Sequence, residues 1–241
     1  MMTTSTITIL FLGFLLGLKH AVEADHLAAV STIVTERKSL LSSALVGGVW
    51  GLGHTISLLV VGIFVLLLDF RISERTESVL ELFVGAMLVF LGLNVMQKII
   101  RGGTLHLHTH EHGGRVHAHP HLHDEQTNTD EPHAHHGLSS LSPRPLVIGL
   151  VHGLAGSAGL MLLVLPTIES RPVGLLYIVI FGVGSIAGMM LMSLLVSLPL
   201  QLTALHFNRA NVLLRVSAGL FSIGFGLWIV YEKGFADNLI G

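Results

Sequence analysis

The sequence predicts an all-α, polytopic membrane protein of six transmembrane helices, built as two inverted three-helix repeats. Three observations lead there. Only 12% of the 241 residues are charged while 51% are hydrophobic, against about 25% charged in a soluble domain. The apolar residues fall in several runs long enough for the roughly 20 residues a helix needs to cross hydrocarbon. Finally, the two halves match in order. Gly17-Leu18-Lys19-His20 pairs with Gly149-Leu150-Val151-His152 at an offset of 132, and Trp50-Gly51-Leu52-Gly53-His54 pairs with Phe181-Gly182-Val183-Gly184-Ser185 at 131. Gly85 and Gly92 pair with Gly219 and Gly226 at 134. One match means little in a chain with 27 glycines, but three at nearly constant offset define a repeat.

The spans are read in order at about 5–34, 40–68, 78–100, 144–166, 173–199 and 211–232. The residues ahead of the first carry no basic cluster of the signal-peptide kind, so that run is expected to be a retained span. Pro166 and Pro199 are expected to end the fourth and fifth spans, and Pro145 and Pro172 stand near the starts of the fourth and fifth. Three spans per repeat is an odd number, so the second repeat enters the membrane from the opposite side, an arrangement that places a site near the midplane. The organisation is therefore 1–101, a first repeat; 102–142, a loop; and 143–241, a second repeat.

The loop holds eleven of the sixteen histidines: His106, His108, His110, His112, His117, His119, His121, His123, His133, His135 and His136. It is polar and of low complexity, and is expected to be disordered without metal. Alternating His-x-His tracts bind transition metals without one fixed geometry, which suits a buffer or sensor better than a selective transport site. Lys and Arg number eight on the side bearing this loop (Arg37, Lys38, Lys98, Arg101, Arg115, Arg144, Arg209, Arg215) and four on the other (Arg71, Arg75, Arg171, Lys233). The excess makes the loop side cytoplasmic and turns both termini outward. There are no cysteines, which excludes disulfides and thiolate ligands. A net charge of −2 gives no sign of a nucleic-acid partner.

Within the first span lies Lys19-His20-Ala21-Val22-Glu23-Ala24-Asp25-His26. A charge at the centre of a span costs roughly 3 kcal/mol or more, so ionisable groups gathered at one depth mark an ion or proton site. On an uninterrupted helix His20, Glu23 and His26 share a face, while Asp25 points about 100° from His26. Either the helix breaks here or Asp25 orients a histidine from behind; a break is expected, since an unwound turn also frees carbonyls to line a path. His54, His152 and Ser185 lie at similar depth in other spans. His54 is read as a ligand, His152 as an equal balance of ligand and helix contact, and Ser185 and Asn94 as packing groups. Imidazole with carboxylate suits first-row divalent metals, nickel and copper among them.

The run His20-Ala21-Val22-Glu23-Ala24-Asp25-His26-Leu27-Ala28-Ala29-Val30 resembles the His-x4-Asp-His signature of the nickel/cobalt transporter family, whose typical form reads His-Ala-Val-Asp-Ala-Asp-His-Ile-Ala-Ala-Ile. Leu52-Gly53-His54-Thr55 resembles the family's second motif, and His152-Gly153-Leu154-Ala155-Gly156-Ser157 is similar to segments of its urease-associated members. The resemblance is specific over residues 13–62 and looser elsewhere. Glu23 replaces an Asp, and a six-span chain is a compact relative of the eight-span importers. The His-rich loop resembles the efflux branch, whereas Asp25 directly before His26 fits uptake. The resemblance implies a plasma-membrane permease for Ni2+, with Co2+ as a second substrate. Its metal residues would be His20, Glu23, Asp25, His26, His54 and His152, and its partner a cytoplasmic nickel chaperone. Uptake is favoured, with efflux and a membrane metal sensor as alternatives. No nucleotide-binding signature is present, and His20 and His26 stand six apart rather than in a His-Glu-x-x-His pair, so neither an ATPase nor a metalloprotease is expected.

Overall fold

In hydrocarbon every backbone N–H and C=O must be paired within its own segment, so apolar runs of this length fold as helices. A computed structural model of the chain describes residues 4–37, 39–68, 73–101, 105–112, 115–122, 143–155, 168 and 170–236. The helices are α1 (Thr4–His20), α2 (Ala24–Ile33, continued by a tight turn Val34–Glu36), α3 (Leu40–Leu68), α4 (Glu74–Ile100), α5 (Arg144–Ala155), α6 (Arg171–His206) and α7 (Asn208–Tyr231). Four of them, α3, α4, α6 and α7, are each long and apolar enough to cross a membrane. The segments Thr6–His20 and Ala24–Glu36 qualify together as a fifth, bent by 57° at the break between them. The shorter apolar helix α5 covers the first part of the expected fourth span; residues 156–166 of that span, Pro166 included, lie outside the described residues.

One local feature differs from expectation. Pro199 does not end the fifth span: α6 runs through it to His206. A proline within a membrane helix is tolerated where side chains serve the freed backbone groups. The group the proline frees is the Leu195 carbonyl, four residues earlier; Thr203 Oγ1 donates instead to the Pro199 carbonyl at 2.7 Å and Asn211 Nδ2 to the Leu200 carbonyl at 2.6 Å, holding the end of α6 to the start of α7. Within the His-rich segment β1 (Leu105–His112) pairs with β2 (Arg115–Leu122), antiparallel, with His106 opposite His121, His108 opposite His119 and His110 opposite His117. Its His-x-His alternation has a period of two, which is that of a strand. His123, His133, His135 and His136 lie outside the described residues.

Close helix packing depends on glycine. A Cβ on Gly17 of α1 would collide with the Phe181 carbonyl and stand 2.9 Å from the Ser185 nitrogen on α6. A Cβ on Gly149 of α5 would collide with the Trp50 carbonyl and stand 3.0 Å from the His54 nitrogen on α3. Phe181 and Ser185 are the residues that match Trp50 and His54 in sequence, so one contact is made twice. The contacts of Gly13 with Tyr177 and of Gly17 with Phe181 show α1 parallel to α6. Gly149 on Trp50 and Gly153 on His54 show α5 parallel to α3, while Gly51 on Ile186 and Gly182 on Thr55 show α3 antiparallel to α6. Helices α4 and α7 cross antiparallel, with Gly85 facing the Gly226 carbonyl and Gly92 the Gly219 carbonyl. Small residues at such crossings let backbones approach where no hydrophobic force drives helices together in lipid. Ser222 Oγ adds a hydrogen bond to the Leu88 carbonyl at 2.8 Å, and Ser57 Oγ another to the Leu150 carbonyl at 2.7 Å. The outer faces present large apolar side chains, among them Phe11, Phe83, Phe90, Leu213 and Tyr231, as a lipid-facing surface requires.

Gly17→Leu and Gly149→Leu are each expected to destabilise the purified protein, by an overpacking cost of about 1–3 kcal/mol. At roughly 2–4 °C per kcal/mol for a chain of this size, thermal melts should detect it. Gly224→Ala, where a Cβ meets nothing within 4 Å, should leave Tm unchanged or slightly raised.

Candidate metal centre

The site is made by the break between α1 and α2. Residue by residue, α1 tightens and stops: the Ala21 N–H reaches the Gly17 carbonyl at 3.4 Å, Val22 the Lys19 carbonyl at 3.0 Å, and Glu23 the His20 carbonyl at 3.1 Å. Glu23 is extended (φ −66°, ψ 152°), and its carbonyl accepts from the Leu27 N–H at 2.9 Å to start α2. In a continuous helix, residues six apart are displaced about 9 Å along the axis. The break instead brings the His20 and His26 rings to 4.3 Å between centroids. The expected break is therefore present, and the negative end of the α1 dipole points at the cluster, which favours a cation.

Asp25, in the first turn of α2, does the orienting. Its Oδ1 accepts from the His26 backbone N–H at 2.9 Å and lies 3.0 Å from His26 Nδ1. Its Oδ2 lies 2.9 Å from Nε2 of His152, in the last turn of α5. One carboxylate thus holds two imidazoles from two distant segments. His20 Nε2 lies 3.2 Å from His54 Nε2, at the middle of α3. Glu23 Oε2 stands 2.9 Å from His20 Nδ1, off the line of a hydrogen bond. The His54 and His26 rings are 5.1 Å apart, and those of His26 and His152 4.3 Å.

The four imidazoles are completely buried, whereas Asp25 and Glu23 keep 17% and 35% of their side-chain surface exposed, so the carboxylates form the rim and the rings the floor. His26 Nε2, His54 Nδ1 and His152 Nδ1 have no hydrogen-bond partner. A buried polar atom left unpaired costs about 1–3 kcal/mol, so three together call for a ligand. Two groups have donor atoms all within 4.8 Å of one another, His20–His26–His54 and Asp25–His26–His152. Either is a donor set that suits a borderline divalent metal.

All six residues singled out from sequence meet here: His20, Glu23, Asp25, His26, His54 and His152. Ser185 is buried close by, with Oγ 3.4 Å from the Gly17 carbonyl, and Lys19 is exposed. Two aromatic walls escaped the sequence reading. The Trp50 ring lies 5.4 Å from His26 and 5.7 Å from His152, and the Phe181 ring lies 5.7 Å from His20. The repeat offset already matched Trp50 to Phe181; what it could not show is that both face imidazoles.

Comparison with known proteins places the chain. It is 38% identical to the urease accessory protein UreH of Bacillus sp. (strain TB-90) over 234 residues, covering 97% of this chain and 95% of that one. The chain belongs to the UreH family. More distant similarity extends to two Arabidopsis thaliana proteins, chloroplast proteins FOR GROWTH AND FERTILITY 2 and 1, at 25% and 26% identity over 99% and 94% of this chain. The UreH-family chain spans 60% of the length of each of these two. No family model matches it, and no solved structure does.

Trp50 and Trp228 are the two tryptophans, and Trp228 is exposed on α7. In a Trp228→Phe protein, Ni2+ held by the imidazoles is expected to quench most of the Trp50 emission, and adding His26→Ala should remove the quenching. Fluorescence titration checks this.

Proposed function

We propose that this chain is a secondary transporter that carries Ni2+ through the plasma membrane toward the cytoplasm, with Co2+ as a second substrate. The observation that carries the reading is the meeting of four buried imidazoles and one carboxylate at a helix break inside apolar spans. A dehydrated divalent ion needs such a donor set to cross hydrocarbon, and unoccupied imidazoles gain nothing by being there. Nickel is favoured over other first-row metals because the UreH relative is named as accessory to urease, which implies nickel. His20, Asp25, His26, His54 and His152 coordinate or relay the ion, and Glu23 assists at the rim. Coordination needs neutral imidazole and ionised carboxylate, so proton coupling is chemically easy.

The reading includes six spans as two inverted repeats, supported by the matching contacts of Gly17 and Gly149 and by the opposed directions of α3 and α6. Rocking of one repeat against the other would then open the site to each side in turn. The Lys/Arg excess supports a cytoplasmic loop, whose histidines buffer metal at the inner mouth and present it to a chaperone. The same loop is the specific feature that favours the reverse direction, export.

Cellular accumulation of radionickel decides between them. Cells expressing the wild type are expected to accumulate more nickel than controls, and His26→Ala to abolish the difference. Excess Co2+ should compete. Lower accumulation with the wild type than with the control would establish export instead.

A further inference from the structure

The imidazole cluster is more than one ligand cage. It divides into two groups of three donors, and His26 belongs to both. Its ring is the central one: 4.3 Å from His20, 4.3 Å from His152 and 5.1 Å from His54, while the outer pair His54–His152 is 6.0 Å apart. The two nitrogens of His26 face different surroundings, Nδ1 toward Asp25 at 3.0 Å and Nε2 with no partner. We propose that the site holds a divalent cation at two overlapping positions, His20–His26–His54 and Asp25–His26–His152. His26 is the ligand common to both, so the ion crosses by exchanging two ligands while keeping the third.

The proposal rests on the transport reading and adds its internal step. The two positions differ in charge and in origin. The first offers three neutral rings, from α1, α2 and α3; the second offers two rings and a carboxylate, from α2 and α5. A dication keeps its full charge in the first and is half neutralised in the second, so the second binds more tightly in a low-dielectric interior. Helix α1 is parallel to α6, which is antiparallel to α3 and hence to α5, so α1 and α5 approach the cluster in opposite directions. His20, at the last residue of α1, and His152, in the last turn of α5, are therefore presented from opposite sides of the membrane. Exchange of His20 and His54 for Asp25 and His152 moves the ion from one side's helix to the other's. At no point is it released bare into an apolar surrounding, where an uncompensated charge is most costly. No bond other than metal–ligand bonds forms or breaks, and no electron moves.

The test is anomalous scattering at the nickel edge from crystals of the full chain grown with Ni2+, for the wild type and for His54→Ala, His152→Ala and His26→Ala. The expected result is an ion between Asp25, His26 and His152 in His54→Ala, and a displaced ion between His20, His26 and His54 in His152→Ala. His26→Ala should hold none at either place. The proposal is overturned if both single variants show the ion at the same place, or if both lose it while the wild type retains it. His54→Gln and His152→Gln repeat the comparison should an alanine variant fail to fold. A second readout uses Co2+ in solution: difference spectra against His26→Ala, which subtract the loop, should show distinct visible bands for the two single variants. Identical bands contradict two positions. A wild type with no ion anywhere in the cluster would instead refute the transport reading itself, so the two failures are told apart.

Discussion

The bridge from Asp25 to His26 and His152 is the contact on which the centre depends. It lies in the first turn of α2, just after the break from α1, and reaches α5, 127 residues further along the chain. A carboxylate taken from water into a membrane interior is costly unless it is paired and its oxygens are satisfied. Both oxygens of Asp25 are: one takes the His26 backbone and ring, the other takes His152. The pairing also fixes how each ring is turned within the cluster. Remove this carboxylate and two imidazoles lose the partner that orients them.

Helix packing serves the same end. The contacts of Gly17 with Phe181 and of Gly149 with Trp50 draw α1 onto α6 and α5 onto α3, so that His20 and His152 arrive beside His54. A larger side chain at either glycine would push apart the helices that deliver the ligands. Trp50 and Phe181, whose carbonyls receive these glycines, present their rings to His152, His26 and His20. The backbone of each aromatic residue thus sets the helix spacing and its ring walls the site. Chemistry and fold are coupled at the level of single residues.

Much of this was legible beforehand for definite reasons. Ionisable residues inside an apolar run are conspicuous by their energetic cost, so His20, Asp25 and His26 stood out, and the geometry of an ideal helix already showed that Asp25 could not face the same way as its neighbours. His54 and His152 were found through depth and through the repeat. What sequence could not supply was partnership. Nothing local says that Asp25 would choose His152, or that Trp50 would stand against two imidazoles, since such contacts depend on helix crossings between distant segments. Pro199 misled for a related reason: the hydrogen bond from Asn211 to the Leu200 carbonyl, which holds the helix beyond the proline, forms only once α7 has packed on α6.

The central claim is that a divalent ion passes through the membrane between these buried imidazoles rather than by way of the His-rich loop. The most direct measurement is nickel flux into proteoliposomes that contain the full chain and a nickel-responsive dye. The account predicts saturable influx with the wild type, influx retained when the loop histidines are replaced by serine, and none with Asp25→Ala. Absence of flux with the wild type, or undiminished flux with Asp25→Ala, would contradict it.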